Sequence, residues 1–209
     1  MNTSFADIEK KENRKDLIIS ICVFLSGFSC FAQLYYFQPL LPDLAKDFIL
    51  SASESSFAIS FSTLGMVFGL FTTMFVADRI PRKKMIGTGL LSSSIFSVAA
   101  SFSPTFLPLI LLSAAKGFLL SGATSVSMAY IAEEVSSRNK GKIMGLYIAG
   151  NALGGMAGRV ISSWIGALYT WRIASVRLAG IPMAAVSSQI APTSIIGSNS
   201  SAYAGISLM

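Results

Sequence analysis

Residues 74–85 read MFVADRIPRKKM, and here an apolar run of more than twenty residues stops at Asp78 and turns into a cluster of cations. Arg79, Arg82, Lys83 and Lys84 fall within six positions beside a single carboxylate. Pro81 bars a continuous helix, because its ring clashes with the preceding turn and it has no amide proton to donate. A short basic connection between apolar runs reads as a loop between two membrane helices, and dense Lys/Arg loops are retained on the cytoplasmic side. This loop therefore orients everything on either side of it.

Composition agrees with that reading. Of 209 residues, 53% are hydrophobic and only 12% charged, and the mean hydropathy is +0.64, which points to a bilayer rather than water. Lys and Arg exceed Asp and Glu by 16 to 10. This excess is not a nucleic-acid footprint, since 11 of the 16 lie in three segments flanking apolar runs. With no His in the chain, imidazole metal ligands and His-based catalysis are excluded, and no cofactor or metal site is expected. Cys22 and Cys30 lie about 12 Å apart along one helix by its rise per residue, beyond the roughly 7 Å that a disulfide spans. Both read as small apolar fillers.

From the amino terminus, residues 1–16 form a polar tail with Lys10, Lys11, Arg14 and Lys15. The apolar run that follows, residues 17–40, is too long for a signal peptide and lacks a small-residue cleavage site, so it is expected to be the first spanning helix. It ends in AQLYYFQPLLP. Tyr35, Tyr36 and Phe37 suit an interfacial aromatic belt, whereas Gln33 and Gln38 are amides at membrane depth that need polar partners. Asp43, Asp47 and Glu54 mark residues 42–56 as an outer loop.

A second helix is expected over 55–77, long enough for a hydrocarbon core of about 30 Å, with Gly65 and Gly69 spaced for close approach of a neighbour. Helices follow at 85–103, 105–132 and 143–170. Lys116 sits near the middle of the fourth, where a charge is costly unless it faces a cavity or snorkels. Gly150, Gly154 and Gly158 recur every four residues in the fifth and form a packing stripe, with Gly155 beside it and Arg159 next in line inside the apolar span. The bundle thus occupies residues 17–172. From 173 to 209 only Arg177 is charged, and the best apolar stretch is interrupted by Pro182 and Pro192, an aberrant tail or a poor, kinked sixth helix. The expected fold is all-α, a polytopic transmembrane bundle of five helices and a weaker sixth, with the amino terminus in the cytoplasm.

The loop at 74–85 resembles the connection between the second and third helices of the major facilitator superfamily, G-x-x-x-D-R-x-G-R-[RK]. Asp78, Arg79, Arg82 and Lys83 match it, while Met74 and Pro81 replace its glycines. The resemblance implies that these four residues form a gating latch on the cytoplasmic side. The end of the first helix, Tyr35 to Pro42, resembles bacterial YnfM-like efflux-type inner-membrane transport proteins. The fifth helix is similar to the antiporter motif G-x-x-x-G-P-x-x-G-G, with Asn151 at its Pro. In the fourth helix the family's Arg is absent and Lys116 stands one turn further on.

The resemblance implies a secondary transporter in a bacterial inner membrane, moving a small organic solute or drug by alternating access. Its substrate path would draw on Gln33, Tyr35, Gln38, Lys116, Asn151 and Arg159. It also implies twelve helices in two halves, so this chain reads as a first half, truncated or frameshifted, whose carboxy-terminal half is missing. The competing reading is a non-transporting membrane remnant or helical partner protein. An enzyme is not expected, because the Gly-rich runs lie in apolar helices rather than after strands.

Overall fold

The computed structural model describes residues 2–76 and 81–181, with side chains for 13–76, 81, 82 and 84–181. Asp78, Arg79, the side chain of Lys83 and the expected sixth helix beyond residue 181 lie outside the described residues.

Helix α1 is Asn2–Tyr35, so the polar leader is already helical. The helix breaks at Tyr36 and Phe37, and a 3-10 turn over Gln38–Leu40 leads into α2, Leu41–Asp47. Pro39 and Pro42 occupy first-turn positions, where the missing amide proton costs nothing. Ser51 and Glu54 form a reciprocal capping box around the short α3, Ala52–Ser55. Next come α4, Phe57–Val76, and α5, Arg82–Ser101, which Pro81 caps. The long helices α6, Phe106–Glu134, and α7, Lys140–Leu168, follow. Residues 171–181 form α8. No strand occurs among the described residues.

Asn13–Asp47, Ala52–Val76 and Phe106–Glu134 are long and apolar enough to cross a membrane. The α5 and α7 sequences are diluted by Ser, Gly and terminal Lys, and it is these small residues that let them pack. Gly150, Gly154 and Gly158 of α7 lie against the backbone of Phe24, Phe28 and Ala32 of α1. Gly65 of α4 meets Ala114 of α6, Gly69 meets Phe118 and Ser121, and Gly117 of α6 meets Ser62 in return. The backbones approach so closely that a Cβ at Gly117 would stand 1.9 Å from the Ser62 carbonyl oxygen. Met74, by contrast, is exposed and packs against nothing comparable.

Polarity runs opposite to that of a water-soluble bundle. Phe68, Phe71, Met74 and Phe75 point outward from α4, as do Met156, Val160 and Trp164 from α7. Inside lie many serines, and Ser94, Ser101 and Ser127 return their hydroxyls to carbonyls one turn back. A hydroxyl satisfied on its own helix costs little to bury and keeps the interface narrow.

The two ends are chemically distinct. At one, Lys15 pairs with Glu134 at 2.8 Å and Arg82 pairs with Glu133. Ser136 Oγ and Asn139 Nδ2 both donate to Asp16 Oδ2 at 2.8 Å. The three basic segments therefore meet at the same end. At the other, Trp171 Nε1 donates to Asp47 Oδ2 at 2.9 Å, and Arg172 donates to the Ser101 and Ser103 carbonyls at 2.8 and 3.1 Å. Exposed ion pairs contribute at most about 1 kcal/mol each, so they define the ends more than they hold the bundle together.

Candidate functional site

The site is built where α1 stops being a helix. Tyr35 closes α1, and Tyr36 and Phe37 form the turn after it. Their rings are stacked, with centroids 4.3 Å apart. The belt expected at the lipid interface is not what forms here: Tyr36 is 0% and Phe37 1% exposed, buried with Leu40, Leu44, Leu109, Trp171 and Leu178. Packing from α2, α6 and α8 covers them. Because Trp171 and Leu178 belong to this core, α8 begins several residues before the apolar stretch legible in the sequence.

Lys116 of α6 is held against these rings, with Nζ 4.5 Å from the Tyr36 centroid and 4.7 Å from that of Phe37. The residue is 1% exposed, so it does not snorkel to an interface. By helical rise it stands about 15 Å along α6 from Phe106 and about 27 Å from Glu134. Two aromatic faces give a desolvated ammonium about 2 kcal/mol of attraction. Withdrawing that ion from water costs several kcal/mol, so the rings offset only part of the penalty. Nζ makes no hydrogen bond to the protein among the described residues.

The same triplet meets a second cation. Arg159 of α7 is exposed along its length and stacks on Tyr35, guanidinium carbon to ring centre 4.7 Å. Gly155, one turn earlier, leaves room for that ring, since a Cβ there would lie 3.2 Å from Tyr35 Cδ2. The carboxy-terminal end of a helix carries partial negative charge, which favours cations beside the point where α1 ends. Two cations from different helices thus share one aromatic segment, although they lie 43 positions apart in sequence.

Buried hydroxyls belong to the same region of the bundle. Tyr36 Oη, Ser97 Oγ and Ser113 Oγ are buried without a hydrogen-bond partner, and Ser97 and Ser175 flank the Tyr36 hydroxyl without closing a well-aligned bond. Ser113 precedes Lys116 by three positions, hence on the same face of α6.

Other residues singled out in the sequence fall elsewhere. Gln33 is fully buried and clasps α5: its Nε2 donates to Ser94 Oγ at 3.2 Å and Ser93 Oγ donates to its Oε1 at 2.8 Å. Such interhelical bonds contribute about 0.6 kcal/mol on average. Gln38 is half-buried in the 3-10 turn. Asn151 Oδ1 lies against α1 at Gly27, where a Cβ would stand 2.1 Å from it. Gly65, Gly69, Gly150, Gly154 and Gly158 all lie at helix contacts. Sequence reasoning passed over Ser93, Ser94 and Asp16, and gave Asp47 and Glu133 no partner. The triple serine at 92–94 within an apolar run was the available signal for a partner to Gln33.

Comparison with known proteins accords with this architecture. The family model described as Major Facilitator Superfamily matches residues 20–204, beyond residue 172, where the sequence pattern changes. An uncharacterised transporter of Buchnera aphidicola subsp. Schizaphis graminum is 39% identical over 167 residues, covering 80% of this chain and 40% of that protein. The inner membrane transport protein YnfM of Escherichia coli is 37% identical over 156 residues, 75% of this chain and 37% of its own length. The MFS-type transporter YybF of Bacillus subtilis is 33% identical over 156 residues, 75% and 39% respectively. The chain therefore spans about 40% of the length of relatives such as the Buchnera protein.

Proposed function

The chain belongs to the major facilitator superfamily, and we propose that it forms the first half of a bacterial inner-membrane secondary transporter for a small organic solute. As a family member with long apolar helices it is a multi-pass membrane protein. The observation that carries the transport reading lies at the α1 break: Lys116 is buried against the Tyr36 and Phe37 rings and Arg159 stacks on Tyr35, in a bundle whose outer faces are largely apolar. Intramembrane cations are costly and are retained where a solute path needs them.

In this reading Lys15, Arg82, Glu133, Glu134 and Asp16 lie at the cytoplasmic end, because the three basic segments gather there. Their pairs, with Asp78, Arg79 and Lys83 of the adjoining loop, break and re-form as alternating access opens and closes that end. A second six-helix half completes the path.

Two measurements test it. Single cysteines at Lys140 and Asp43, in a chain with Cys22 and Cys30 replaced by Ser, are labelled in intact cells with a membrane-impermeant maleimide. Labelling at 43 and protection at 140 is expected, and the reverse pattern overturns the orientation. Proteoliposomes holding the chain with the second half of the Escherichia coli relative are then assayed for counterflow of labelled organic acids, amines and neutral solutes. Flux above that of the second half alone is expected. Its absence, with the chain stably bound to another membrane protein, favours a helical partner instead.

A further inference from the structure

We infer that the solute is a small organic anion with a single negative charge, and that Lys116 is the residue that receives its carboxylate. This rests on the transporter reading and narrows it. The sequence contains no Asp or Glu at 17–42, 55–77, 79–132 or after 134. Lys116 therefore has no internal carboxylate to neutralise it along any apolar run.

Its Nζ is buried, and the two ring faces beside it offset part of the charge penalty but accept no conventional hydrogen bond. An ammonium has donors in three directions, and a carboxylate supplies acceptors for them as well as the opposite charge. Ser113, three positions before Lys116 on the same face of α6 and buried without a hydrogen-bond partner, is a further donor on that face.

Charge decides between solute classes. A cation meets repulsion from Lys116 and finds no acid along the apolar runs of this chain to hold it. A neutral solute leaves the ammonium unpaired. A dianion brings more charge than one buried lysine neutralises, with Arg159 standing on the exposed side of α7. A monocarboxylate balances the site. Entry to the site requires the buried Tyr36 and Phe37 rings to move, and because both sit in a turn that movement need not unwind a helix.

The test uses the purified full chain in detergent with three probes of one shape: benzoate, benzamide and benzyltrimethylammonium. Calorimetry is expected to show saturable benzoate binding, weakened at least about tenfold in Lys116→Gln and recovered in Lys116→Arg. Circular dichroism and gel filtration confirm that both variants remain folded. Equal benzoate affinity in wild type and Lys116→Gln overturns the inference, as does absent benzoate binding or a preference for the amide or the ammonium. Those results leave the transporter reading standing. Lys116-dependent benzoate binding without counterflow upholds the site and removes the transporter reading.

Discussion

Lys116 Nζ sits 4.5 Å from the ring centre of Tyr36, and the preceding residue, Tyr35, carries Arg159 at 4.7 Å. The break in α1 thus brings two cations from different helices onto neighbouring rings. The arrangement is costly for stability, and that cost can be measured.

Lys116→Met keeps the length of the side chain and removes the ammonium. The desolvation penalty of an unpartnered buried charge, several kcal/mol, exceeds the roughly 2 kcal/mol of ring attraction. The variant is therefore expected to be more stable by about 1–3 kcal/mol, raising the unfolding temperature in detergent by several degrees as followed by Trp164 and Trp171 fluorescence. A lower unfolding temperature means that Lys116 is compensated by a partner the geometry does not reveal.

Gly154→Ala places a methyl 2.1 Å from the Phe28 carbonyl oxygen and 2.6 Å from its Cα. Neither is a flexible side-chain end, so α1 and α7 must separate, at a cost of about 1–3 kcal/mol. Gly145→Ala, five residues before Gly150 with nothing within 4 Å, gains up to about 1 kcal/mol from helix propensity. Thermal unfolding of the two variants side by side should give opposite signs. Equal effects contradict a tight α1–α7 seam.

Asp47→Ala strips the acceptor from Trp171 Nε1, a residue only 3% exposed, and also removes the Arg172 ion pair at 3.4 Å. Leaving a buried donor unsatisfied costs about 1–3 kcal/mol, whereas the half-exposed pair is worth less than about 1 kcal/mol. A double-mutant cycle with Arg172→Gln should therefore show coupling much smaller than the Asp47→Ala effect, accompanied by a shift in Trp171 emission. Coupling as large as the single-variant effect assigns the interlock to charge instead.

Charge and hydropathy along the chain were enough to read an all-α bundle, and the basic segments around Lys15, Arg82 and Lys140 were legible as one end of it. The Gly150–Gly158 stripe was legible as a seam because a four-residue repeat keeps one face of a helix. The face it meets was not, since Phe24, Phe28 and Ala32 look like any apolar residues until α1 is laid against α7. The same holds for Gln33, whose need for a partner was evident while the identity of Ser93 and Ser94 was not. Tyr36 and Phe37 misled because an aromatic pair at a helix end has the same local pattern whether lipid or protein covers it. Burial by α6 and α8 settles that.

Periodicity, the absence of intramembrane acids and the clustering of cations are properties of linear order, and from them membrane class, helix count and a family resemblance could be read directly. Which polar groups meet is a property of helix packing, where residues distant in the chain come within a few ångströms. Lys116 and Arg159 on the rings that end α1 belong to that second kind: the pairing depends on how closely glycine and serine let neighbouring backbones approach.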